Sequence, residues 1–147
     1  MHIKDNFVRG FVAGSMGGLG SLTVNVITSL LKLNSVMWLE LMSLIILGRF
    51  PNTIGEYIFN LFIQIAFLGI LGGVFALILP IISPEHLYFK GISYSAAIWF
   101  ALFSLPQLLQ LPKLKEVNLS TAMSNLGAAV TWGIGFIFLL KKLDPRN

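Results

Sequence analysis

The sequence predicts an all-α polytopic membrane protein, a four-helix transmembrane bundle with an interfacial or re-entrant helix between its first two spans. Three observations lead there. The 147 residues are 56% hydrophobic and 11% charged, whereas soluble domains carry about 25% charged residues; mean hydropathy is +0.84. The charges also leave four long gaps: 22 residues between Arg9 and Lys32, 28 between Glu56 and Glu85, 22 between Lys90 and Lys113, and 24 between Glu116 and Lys141. Each gap accommodates the roughly 20 apolar residues that a bilayer-spanning helix needs. A fifth apolar run, 35–48, has 14 residues and contains Glu40. That is short for a span, and a mid-helix carboxylate costs about 3 kcal/mol on insertion scales, roughly what its aliphatic residues recover.

In chain order, a polar lead-in with Asp5 or Asn6 as N-cap precedes a first span over 10–31. Its apolar part is longer than a signal peptide's core, and Ser21 to Asn25 is a poor cleavage site, so the span is expected to be retained. The 35–48 helix ends at Gly48 and Pro51. The second span covers about 55–80, closed by Pro80 and Pro84. The third covers 91–111, with Pro106 expected to kink it. The fourth covers 118–140, and a basic tail follows. Four spans put both termini on one side with six positive residues, Lys4, Arg9, Lys90, Lys141, Lys142 and Arg146, against four on the other. The positive-inside rule then favours cytoplasmic termini and a multi-pass protein of the cell membrane.

The stretch VRGFVAGSMGGLGSLTVN could be a phosphate loop or a packing face. No Lys lies between Arg9 and Lys32, GxGxxG is absent and no strand pattern precedes it, so the nucleotide reading fails. On a helix, Gly10, Gly14, Gly17, Gly18, Ser21, Asn25 and Thr28 share an arc of about 100°. A doubled GxxxG of this kind permits close helix approach in lipid. Ser120, Ser124, Gly127, Ala128, Thr131 and Gly135 repeat the spacing in the fourth span. The simplest arrangement packs first and fourth spans antiparallel, with Gly14 and Gly18 against the Ser124–Ala128 face. Gly69, Gly72 and Gly73 form a weaker version in the second span. Such faces serve bundle packing, a homo-oligomer interface or a ligand-lined crevice.

Polar groups at membrane depth are the candidate functional residues: Asn25, Glu40, Asn60, Gln64 and Asn125, with Gln107. The amides read either as interhelical hydrogen bonds or as a polar path. Glu40 reads either as the polar face of an interfacial helix or as a proton- or cation-handling carboxylate. No catalytic set, paired intramembrane carboxylates or HExxH occurs. His2 and His86 make a poor metal site. The absence of cysteine excludes disulfides, thiolate sites and lipidated cysteine. No enzyme activity, cofactor or metal is expected, and the net charge of +4 suits anionic headgroups rather than nucleic acid. Membrane lipids are the expected partners, with a homo-oligomer or larger membrane complex.

YFKGISYSAAIWFALF followed by LPKLKEV resembles YqhR-type proteins, small conserved membrane proteins of Gram-positive bacteria. That family shows a Gly-Ile-x-Tyr-small pattern before a Leu-Trp and a Pro-x-Leu-Lys-x-Val-like turn after it. Gly10, Phe11, Val12 and Gly14 also match its Gly-Phe-Val-x-Gly start. The resemblance implies a four-span bacterial membrane protein and no established activity. Two functions remain open: association through helix faces as an oligomer or accessory subunit, or permeation of an ion or small solute past Glu40, Asn60 and Gln64.

Overall fold

The computed structural model describes residues 5–82, 85–108 and 117–144, which form five helices. These are α1 (Asn6–Leu30), α2 (Trp38–Leu47), α3 (Ile54–Ile78), α4 (Leu87–Leu108) and α5 (Leu119–Lys142). Three of them, α1, α3 and α5, are long and apolar enough to cross a bilayer. His2, the side chains of residues 105–107 (Gln107 among them) and the 109–116 connection lie outside the described residues.

Local chemistry sets the helix ends. Asp5, Thr53 and Asn118 each accept a hydrogen bond from a first-turn backbone N–H, at Val8, Glu56 and Thr121, satisfying donors that a helix start leaves unpaired. The Asp5 cap starts α1 four residues earlier than the charge gap predicted, so Arg9 lies inside the helix. Gly48 closes α2 with φ +67°, where a side chain would be strained. At the end of α1 the equivalent left-handed position is Lys32, φ 58°.

The helices run alternately up and down. Residues 7, 11 and 15 of α1 meet 73, 69 and 65 of α3 in descending order, which makes that pair antiparallel. Descending contacts from Arg9–Asp144 to Gly20–Thr131 make α1 and α5 antiparallel too. Thus α1 lies between α3 and α5, and α4 lies along α5. Both described chain ends fall at one end of the bundle, and α2 at the other.

Glycines allow each close crossing. A methyl group on Gly10 would overlap the Gly72 carbonyl, and one on Gly14 would overlap the Leu68 carbonyl. Across α1 and α5, a Cβ on Gly17 would lie 3.0 Å from the Phe136 nitrogen. A Cβ on Gly133 would lie 2.6 Å from Ser95 Oγ and 2.8 Å from the Gly91 carbonyl on α4. Without a hydrophobic driving force between helices in lipid, such backbone proximity is what contributes dispersion energy.

One packing contact differs from expectation. The antiparallel packing of α1 on α5 is present, but Gly14 and Gly18 do not face Ser124–Ala128. They face Leu68 and Gly72 of α3. The physical reason is the width of the small-residue arc: its Gly10–Gly14–Gly18 edge meets α3, while its Gly17 edge meets Phe136 on α5. Helix α2, the segment expected to be interfacial or re-entrant, exposes Ile45, Ile46 and Leu47 at its C-terminal end and is mostly buried before it. Trp38, Leu41, Met42 and Leu44 are buried and pack with Val24 of α1, Trp99, Leu102 and Phe103 of α4, and Ala128 and Ala129 of α5. Helix α2 also contacts α3, so it reaches all four long helices.

Candidate functional site

The buried polar residues divide into a locked group and an unpartnered group. The locked group fixes the 31–37 connection and the start of α2. Asn25 Oδ1 accepts from Trp38 N at 3.1 Å and from Asn34 Nδ2 at 3.4 Å. Asn125 Nδ2 donates to the carbonyls of Val36 at 2.9 Å and Thr121 at 3.0 Å. Trp38 Nε1 donates to the Asn125 carbonyl at 3.2 Å, and the Ser35 and Thr121 hydroxyls lie 2.8 Å apart. Asn25 and Asn125 are each 1% exposed. Each satisfies backbone groups that the non-helical connection leaves without helical partners, as buried peptide groups require.

Glu40 belongs with the locked residues. Its Oε2 accepts from Met37 N at 2.8 Å, in the first turn of α2, where the helix dipole favours a carboxylate. Near the same end of the bundle, Arg49 pairs with Glu56, its Nη1 donating to Glu56 Oε2 at 3.0 Å. The hydrogen bond and charge of Glu56 raise the Arg49 pKa above its ordinary value.

Asn125 Oδ1 and Arg9 Nε are buried without a partner too, but the largest unpartnered group lies on α3. Asn60 and Gln64, one turn apart, are 0% and 4% exposed. Neither Asn60 Oδ1 nor Nδ2 has a partner, and neither has Gln64 Oε1. Leaving a buried polar group unsatisfied costs about 1–3 kcal/mol. Gln64 borders a cavity of about 20 Å³ that residues of all five helices line, among them Ser21, Trp38, Met42, Ser95, Trp99 and Trp132. The Trp99 indole N–H is also buried without a partner. By contrast, Trp132 Nε1 donates to the Gly14 carbonyl at 2.9 Å. Among the described residues, no charged side chain lines the cavity.

The small residues also have distinct positions. Ser120 Oγ donates to the Leu33 carbonyl at 2.7 Å, and Ser124 Oγ makes a longer contact to it. Ala128 is fully buried and Ser21 is 2% exposed. Gly135 packs on the Gly17 Cα, and Thr131 on Gly20. A Cβ on Gly127 would meet nothing within 4 Å.

Residue types alone did not mark Arg9, Asn34, Ser95 or Trp99 as site residues. Arg9 is 3% exposed and pairs with Asp144 at 3.1 Å, joining the start of α1 to the end of α5. Among the described residues, no three His, Asp or Glu side chains assemble as a metal set. No protein-family model, curated protein or solved structure matches the chain.

Proposed function

We propose that the protein is a non-enzymatic integral membrane protein of the cell membrane that works by helix association, using the outer face of α5 against a second copy of itself. In this reading α1, α3, α4 and α5 cross as a four-helix transmembrane bundle, α2 is re-entrant, and both termini are cytoplasmic. Support for α4 as the fourth span comes from its 22 residues, about 33 Å at 1.5 Å per residue, and its antiparallel course along α5. The resemblance to YqhR-type proteins, carried by Gly10 to Gly14 and Tyr88 to Phe103, is part of the same proposal.

One observation carries the association reading. The glycines at 10, 14, 17, 69, 72, 73, 91 and 133 each stand against a neighbouring helix, whereas Gly127 stands in open space on the exposed side of α5. A helix-interior glycine costs up to about 1 kcal/mol relative to alanine, and inside one chain nothing offsets it there. A small-residue notch between Met123 and Thr131 suits a two-fold crossing of identical helices, because small-xxx-small faces are self-complementary. The test is Gly127→Leu, which the single chain can accommodate. Association in nanodiscs or by detergent light scattering should fall while thermal stability holds or rises. An unchanged particle mass overturns the reading, and loss of a different, co-purifying protein would redirect it to a hetero-complex.

A second reading, permeation of a small solute, is supported at Asn60 and Gln64, whose buried amide atoms lack partners, and not at Glu40, which is engaged in capping α2. Uptake into liposomes that Gln64→Leu leaves unaltered counts against it.

A further inference from the structure

We propose that the cavity at the meeting point of the five helices is a binding site for a water-sized neutral molecule, which donates to Gln64 Oε1 and accepts from the Trp99 indole N–H. The inference rests on the cavity and stands apart from association at Gly127.

Buried polar atoms in native proteins are satisfied by protein or ordered water, with few exceptions. Here an acceptor, Gln64 Oε1, and a donor, Trp99 Nε1, are both orphaned, and both residues line one cavity. Their polarities are opposite, so one molecule with a donor and an acceptor satisfies both. Size fits as well: a water needs about 10–15 Å³ of such volume and two to four polar partners, and the cavity offers about 20 Å³. The Ser95 hydroxyl donates to the Ile92 carbonyl at 2.8 Å, which leaves its lone pairs available as a third partner. Ser21 supplies a second hydroxyl to the walls.

The walls also state what is refused. They carry no charged group, and an ion stripped of water in an uncharged, aromatic-lined cavity is strongly disfavoured. Drug-sized ligands need cavities of about 300 Å³ or more. Water is therefore the ordinary occupant, held at Gln64.

The chain's own tryptophans provide the controls. Trp38 and Trp132 donate their indole protons to the carbonyls of Asn125 and Gly14, while Trp99 has no protein acceptor. Indole ¹⁵N labelling in nanodiscs, with Trp99→Phe to assign the signal, reads contacts between each indole proton and water. The expected result is a water cross-peak at Trp99 and none at Trp38 or Trp132. Gln64→Leu should abolish it. Ala129→Val, which fills the cavity wall while leaving both polar partners in place, should abolish it as well. The proposal is overturned if the Trp99 proton shows no water contact in the native protein, if all three indoles show it equally, or if it survives in either variant.

Discussion

Adding one methyl group at successive glycines separates backbone contact from side-chain contact and from open space. At Gly14, the new Cβ would overlap the Leu68 carbonyl and lie 3.1 Å from the Gly72 Cα, so α1 and α3 must move apart. Overpacking of that kind costs about 1–3 kcal/mol. The gain in helix propensity returns about 1 kcal/mol, leaving Gly14→Ala destabilised by up to about 2 kcal/mol. At Gly18 the nearest atom is Leu68 Cδ1 at 2.9 Å, the far end of a side chain that can change rotamer. Gly18→Ala, whose propensity gain is opposed only by a side-chain shift, is therefore expected to range from neutral to stabilised by up to about 1 kcal/mol. At Gly127 only the propensity gain remains, and Gly127→Ala should stabilise by up to about 1 kcal/mol. Equilibrium unfolding of the three variants in mixed micelles measures the series. The reasoning is refuted if Gly14→Ala and Gly127→Ala shift stability in the same direction by similar amounts.

Removing the Asn125 amide should loosen the entry into α2, because it holds the Val36 carbonyl while the backbone acceptor of Trp38 stays in place: Asn125→Ala is expected to cost about 1–3 kcal/mol and to red-shift Trp38 emission. Unchanged emission would mean that α2 is held without this amide. At the other end, Asp144→Ala leaves the Arg9 charge buried and should cost about 3 kcal/mol. Arg9→Met should cost less, since the Asp144 side chain is 19% exposed against 4% for Arg9 and can hydrate; the reverse order in thermal unfolding would contradict this. Lys32→Gly relieves a left-handed residue and should stabilise by about 1 kcal/mol, read as a raised unfolding temperature.

The helices were legible because both of their signals are local. Gaps between charges mark long apolar segments, and Gly10, Gly14 and Gly17 fall on one face by periodicity alone. What periodicity does not specify is the neighbour. The same arc serves α3 with one edge and α5 with the other, and nothing in residues 10–21 assigns Gly14 to Leu68 rather than Ala128. Glu40 carried two readings for a related reason. An acidic residue in an apolar run signals function by its rarity, yet its place three residues into α2 makes it a cap. Asn25 and Asn125 were recognisable as buried polar groups, but their task depends on where the 31–37 connection returns. Arg9 entered only as a positive charge bounding the first span, because its partner, Asp144, lies 135 residues away. Gln64 kept its candidacy, and Trp99 joined it only when the cavity brought them together.

The glycine edges of α1 are spent inside the chain, and in the proposed dimer Gly127 is the outward notch. Oxidative cross-linking in native membranes tests this directly, since the chain contains no cysteine and introduced pairs have no competitors. Cysteines at Gly20 and Thr131 together should close within one chain and keep monomer mobility, whereas a single cysteine at Gly127 should yield a dimer. A dimer from Gly20 and Thr131 with no intrachain bond, or a monomer from Gly127→Cys, would contradict the account.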